Sequence, residues 1–159
     1  MVKIKILAIG KLSEKFYRDA QDEFTKRLSR YASVSILQIE DEKAPQNASS
    51  AQQEQIVHAE GERLLARLAP QDYLIALDLR GERLDSLHFA QKTEQIMLQN
   101  SSIAFAIGGS LGLSDAVLRR ADLSLCLSEM TLTHNMARIF LLEQLYRAFK
   151  IQNHEPYHK

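Results

Sequence analysis

The feature that most constrains this chain is its alternation of short apolar runs with amphipathic stretches. Residues 2–9 (Val-Lys-Ile-Lys-Ile-Leu-Ala-Ile) alternate, turn solidly apolar and stop at Gly10, the pattern of a strand entering a core. Residues 34–39, 73–78, 103–107 and 123–127 read as further strands. Helical patterns lie between them. The first runs from a Ser13 cap to about residue 31, with Phe16, Ala20, Phe24 and Leu28 on one stripe. Others cover residues 51–68, 86–98, 114–120 and 133–150. Pro45 marks a loop, and Arg80-Gly81 reads as the turn that ends the third strand. Strands alternating with helices predict an α/β fold, a mostly parallel sheet covered by helices on both faces. At 159 residues, with no linker and no repeat, a single domain spanning 1–159 is expected.

Composition narrows the function. Lys+Arg and Asp+Glu both total 20, so there is no global basic field, and any RNA contact must come from a local patch or from shape. Cys126 is the single cysteine, which suits a reducing compartment. The apolar start is broken by Lys3 and Lys5 and is too short for a signal peptide. No segment approaches a membrane span, so a cytoplasmic protein is expected.

Four places could carry chemistry. Gly108-Gly109-Ser110-Leu111-Gly112 sits where a buried strand meets a helix, the usual ligand position in open α/β sheets. Its spacing is not G-x-G-x-x-G and no P-loop lysine follows, so it is either a ligand loop of another kind or a plain tight turn. Leu127-Ser128-Glu129-Met130-Thr131-Leu132-Thr133-His134 joins the last strand to the last helix. Thr133 can cap that helix, and His134 falls in its first turn, where it either accepts a proton or serves structure only. Arg138 shares a helical stripe with Leu142, Leu145 and Phe149 and needs a partner; a carboxylate, a second subunit, a ligand or a snorkelling margin would each serve. Ile139-Phe140-Leu141-Leu142 points nearly all round that helix, which a dimer partner would cover. In the tail, Tyr157, His158 and Lys159 are candidate RNA contacts together with Arg147, unless the terminus is frayed. Pro156 between His154 and His158 argues against a helical metal pair.

Together these segments resemble the ribosomal RNA large subunit methyltransferase H family of the SPOUT superfamily. The carriers are residues 105–113, 125–138, 143–151 (Glu-Gln-Leu-Tyr-Arg-Ala-Phe-Lys-Ile) and the closing Pro156-Tyr157-His158, with residues 6–11 and 41–45 also in keeping. Thr133 stands where the family usually has Pro, Glu82 where it has Lys, and Asp85 where it has Ser. The resemblance implies a trefoil knot within about residues 73–159 and S-adenosylmethionine bent inside it. The cofactor would be held around Leu77, Gly108, Gly109, Leu127, Ser128, Glu129, Met130, Thr131 and Leu132. It further implies N3 methylation of a pseudouridine in large-subunit rRNA on the assembled ribosome, by a homodimer and without a metal. The tail of one subunit would reach the cofactor of the other. His134, His158 or water would take the N3 proton, and Arg138 would steady the anion. A flavodoxin-like or Rossmann-like module, or a non-catalytic ribosome-associated factor, are the competing readings; the absent phosphate motifs speak against the first, and cofactor binding separates the second.

Overall fold

The computed structural model describes residues 1–159. Five strands, β1 (Lys3–Ile9), β2 (Ser33–Ile39), β3 (Tyr73–Arg83), β4 (Ser102–Ile107) and β5 (Leu123–Cys126), alternate with five helices. These are α1 (Lys15–Leu28), α2 (Ser50–Leu65), α3 (Ser86–Gln99), α4 (Asp115–Arg120) and α5 (His134–Gln152). The strands form one sheet in the order β2-β1-β4-β3-β5, every pairing parallel. The expected α/β fold is therefore present, with a fully rather than mostly parallel sheet.

Strand periodicity divides the core. Successive side chains point to opposite faces, so Ile103, Phe105 and Ile107 of the all-buried β4 join Ile4, Ile6 and Ala8 of β1 beneath α1, α3 and α5. Ala104 and Ala106 face the other way with Leu7, Ile9 and Leu74, covered by Leu64 of α2 and Val117 of α4. Near the amino-terminal ends of the three central strands, β1, β4 and β3, lies a buried polar cluster. Asp72 accepts hydrogen bonds from Lys5 Nζ (2.7 Å), Ser102 Oγ (2.6 Å) and the Ala69 N–H (2.8 Å). Burial opposes its charge, but these three donors outweigh that and hold its carboxyl below the usual range.

Helix starts follow side-chain chemistry. Ser49 closes a capping box with Gln52, Ser114 caps α4 and Thr133 caps α5 through the Met136 N–H. Asp85, one of the departures from the family pattern, caps α3 through the His88 N–H. Two expectations for α1 need correction. Its N-cap is Glu14, with no side-chain cap bond, because the Ser13 hydroxyl donates to the Glu14 carboxylate instead. Phe16 is 65% exposed; its ring lies tilted against Tyr17 at the helix start, outside the core.

The third strand does not end at Arg80-Gly81. Both Leu77 and Glu82 pair with Leu125, so residues 78–81 loop out and the strand resumes through Arg83. A Cβ at Gly81 would lie 2.6 Å from the backbone of Leu125 and Ser124, so glycine there permits close approach of β3 to β5 rather than a terminal turn. The tail is not frayed either. Glu155 accepts from Tyr31 Oη (2.8 Å) and Lys150 Nζ (2.7 Å), and Tyr157 Oη donates to Glu143 (3.0 Å).

Candidate active site

The C-terminal ends of β3, β4 and β5 open onto one cleft of about 520 Å³, a size that suits a small cofactor. One wall is the loop after β4. A Cβ on Gly108 would lie 2.6 Å from the Gly112 carbonyl carbon, and Gly112 adopts φ +81°. These two positions let the loop fold back, closed by Gly112 N–H to Gly109 O at 3.1 Å. The opposite wall is the segment after β5. Between Leu127 and Thr133 the backbone forms no backbone–backbone hydrogen bond except the first of α5, Ala137 N–H to Thr133 O. Its other amides and carbonyls are thus available to a ligand edge; Met130 N–H donates to Ser128 Oγ and the Ser128 carbonyl accepts from the Cys126 thiol. Leu77, Ile107, Leu125 and Leu132 supply apolar surface.

The structure brings most of the sequence-derived cofactor residues together. Leu77, Gly108, Gly109, Leu127, Ser128, Met130, Thr131 and Leu132 all line the cleft. Glu129 turns away and pairs with Arg83 at 2.5 Å. His134, the first residue of α5, is also on the wall. Arg138 stands one turn further along, 2% exposed. It has no carboxylate partner: Nη2 donates to Gly10 O (3.1 Å) and Nη1 to Gln21 (3.5 Å), while Nε has no acceptor. Burial pushes its guanidinium pKa down. It reaches the cleft only through Gly10, whose Cβ position lies 3.9 Å from His134 Nε2.

Arg147, Tyr157, His158 and Lys159 gather elsewhere. The Arg147 guanidinium lies 4.7 Å from the Tyr157 ring and 3.2 Å from His158 Nδ1. Thirteen residues of helix separate Arg147 from His134, about 20 Å, so within one chain the tail group and the cleft occupy opposite ends of α5.

Three contributors escaped the sequence reading. Asp78 and Arg80 line the cleft from the looped-out residues of β3, with Arg80 holding the Asp78 carboxyl below its usual range. Glu60 of α2, 5% exposed, lies behind Gly109. Burial raises its pKa, opposed by the hydrogen bond from the Glu42 N–H. Its place beside Ile56 and Leu64 on one helical stripe was the available signal.

A parallel α/β sheet with a glycine-lined cleft at the carboxyl ends of its strands is the architecture of a ligand-binding α/β enzyme. Residues 2–158 match the family model described as "Predicted SPOUT methyltransferase", and the chain belongs to the SPOUT methyltransferase family. It is similar to proteins named ribosomal RNA large subunit methyltransferase H. That of Ruminiclostridium cellulolyticum is 49% identical over 99% of this chain and 100% of its own length. Those of Clostridium kluyveri and Carboxydothermus hydrogenoformans are 48% and 47% identical over the same shares. No helix is long and apolar enough to cross a membrane.

Proposed function

We propose that this chain transfers a methyl group from S-adenosylmethionine to N3 of a pseudouridine in large-subunit ribosomal RNA, acting as a homodimer on the assembled ribosome in the cytoplasm. The observation that carries the reading is the pairing, across one cleft, of the folded-back glycine loop with an unbonded backbone segment, in a chain nearly half identical to proteins of that name. The cradle supports this reading: glycine at 108 lets the loop fold back against the Gly112 backbone, where a Cβ would clash, and the unpaired amides and carbonyls within residues 127–132 can read an adenine edge between leucine walls. A knot threaded through residues 73–159 is part of the proposal. It is supported by two loops that leave adjacent parts of a parallel sheet and line the same cleft.

Bound S-adenosylmethionine supplies a sulfonium-activated methyl group for direct displacement. The chain's own task is then alignment and proton handling. The leucine walls exclude water from the methyl path. His134 lines the cleft, which supports it as an acceptor of the N3 proton, with His158 from the tail of a second copy or a water as the other acceptors. Arg138 keeps a buried positive charge behind Gly10 and His134, which favours an anion forming in front of them.

The dimer is supported by exposed apolar side chains around the cleft mouth and the starts of α1 and α5. Phe16, Leu79, Met130 and Met136 are 65%, 56%, 79% and 42% exposed. It is supported also by the tail, which can serve a cleft only in another copy. Calorimetric titration with S-adenosylmethionine, followed by single-turnover methylation of ribosomes, tests the reading. Full rates in both His134→Ala and His158→Ala would remove histidine as the base.

A further inference from the structure

The charge of this neutral chain is unevenly spread, and one end of the molecule concentrates cations on aromatic rings. α1 finishes with Lys26 and Arg27 in its last turn, and Arg30 follows in the next. Arg27 and Arg30 lie over the rings of Tyr146 and Tyr31, which Lys150 of α5 also covers, so with Lys26 and Arg147 five cations stand at this end against the four carboxylates Asp22, Glu23, Glu143 and Glu155. The carboxylates are largely spoken for. Glu155 already accepts from Tyr31 Oη and Lys150 Nζ, and Glu143 from Arg147 and Tyr157. Arg30 is left 3.8 Å from Glu155 with its side chain 72% exposed, and the exposed Lys26 has no ion pair. Beneath them lies an aromatic shelf. Arg27 covers the rings of Phe24 (5.4 Å) and Tyr146 (5.7 Å), Arg30 covers Tyr31 (5.6 Å), and Tyr31 stacks on Phe149.

We infer that Lys26, Arg27 and Arg30, at the end of α1, form a phosphate-gripping ridge for ribosomal RNA. The inference rests on the rRNA reading above and assigns it a surface outside the cleft. Rings under the guanidinium faces fix the side chains, so their N–H edges point outward with less ordering left to do on contact. A chain without net charge must obtain its backbone affinity locally, and this is where the unpaired Lys26, the loosely paired Arg30 and the guanidinium of Arg27, held by Glu23 through Nε alone, coincide with aromatic surface. The ridge lies at the end of α5 remote from His134, so it holds RNA flanking the target base, or RNA entering the cleft of a second copy. It therefore acts on substrate affinity and not on the chemical step. The competing account is that these residues only complement the negative end of the α1 dipole.

The test is the double variant Lys26→Gln/Arg30→Gln in the full-length protein, assayed by methyl transfer to unmethylated ribosomes across a series of KCl concentrations. Expected is a rise in ribosome KM of about tenfold, kcat and S-adenosylmethionine affinity as in wild type, and a log KM against log[KCl] slope lower by about 1.5 (two phosphate contacts at roughly 0.7–0.9 each). The charge-keeping variant Lys26→Arg/Arg30→Lys should restore most of the KM. A double variant with wild-type KM and salt slope but a lower Tm would overturn the ridge in favour of the dipole account. Weaker action on ribosomes with unchanged binding to protein-free large-subunit rRNA would assign the surface to a ribosomal protein and also overturn it. If wild-type protein transfers no methyl group to ribosomes, the parent reading has failed and the ridge falls with it.

Discussion

Replacing Gly108 with alanine should damage the cofactor cradle more than any other single methyl group added to the chain's glycine loop. The new Cβ would lie 2.6 Å from the Gly112 carbonyl carbon, 2.8 Å from its oxygen and 3.0 Å from its Cα. Carbon atoms pack best at about 3.5–4.0 Å, so the two arms of the loop must part by roughly 1 Å or more. The obstacle is backbone, which cannot rotate aside as a side chain would. Parting the arms strains or breaks the Gly112 N–H to Gly109 O bond, worth about 1 kcal/mol, and adds overpacking of about 1–3 kcal/mol. A loss of about 2–4 kcal/mol lowers Tm by at least about 4–8 °C in a domain of this size. Because the distortion falls on the cleft wall, Kd for S-adenosylmethionine should rise at least about tenfold. Gly112→Ala is the control: its Cβ meets nothing within 4 Å but sits at φ +81°, a strain of about 1 kcal/mol without displaced backbone. Calorimetric titration and thermal melts read both variants. A Gly108→Ala protein with wild-type Kd and Tm would refute the cradle argument.

Other expectations follow from buried charge and from chain geometry. Arg138→Met removes a desolvated guanidinium that has no counter-ion, so Tm should hold or rise, while kcat falls about ten- to a hundredfold as the Gly10 turn behind His134 loosens; unchanged kcat would leave Arg138 with a purely structural role. Asp72 has a folded-state pKa below its unfolded value of about 3.9, so its stabilisation is present above that pH and is lost as pH falls through the folded pKa. Asp72→Asn should cost about 3 kcal/mol at neutral pH, and the gap to wild type in denaturant melts should narrow below about pH 4; a gap independent of pH would show that the charge is not what matters. A chain truncated after Glu155, mixed with a Gly108→Val chain, should regain about a quarter of wild-type activity although neither homodimer is active, because random pairing gives half mixed dimers with one complete site each. No recovery in verified mixed dimers would exclude a site shared between copies.

Elements whose pattern is set locally were legible in the sequence. The continuous apolar run at 103–107 announced a strand covered on both faces, and β4 is the central, wholly buried strand. Ser114 and Thr133 stood where helical periodicity begins, and both are caps. The glycine loop, bridging a strand end and a helix start, was legible as either a ligand loop or a tight turn, and the family resemblance rather than its pattern marked the 127–132 segment as the facing wall. What stayed hidden depends on partners distant in sequence. Gly81 looked like a turn because its reason for being glycine is the backbone of Ser124 and Leu125. With the strand cut short there, Asp78 and Arg80 went unnoticed as cleft residues. Arg138 was recognisable as a charge on an apolar stripe, but its acceptor is the carbonyl of Gly10, 128 positions away. Glu60 shares an apolar stripe with Ile56 and Leu64, which marks it as buried, but what it lies against shows only once α2 is laid against the glycine loop.

The most direct test of the account is methyl transfer itself. Purified protein, S-adenosylmethionine labelled in the methyl group, and ribosomes lacking this modification are incubated together, and the rRNA is digested and mapped by mass spectrometry. The account predicts about one methyl group per ribosome, on N3 of a single pseudouridine of the large-subunit RNA, abolished by Gly108→Val. Label absent from large-subunit rRNA, with a folded protein that binds the cofactor, would contradict it.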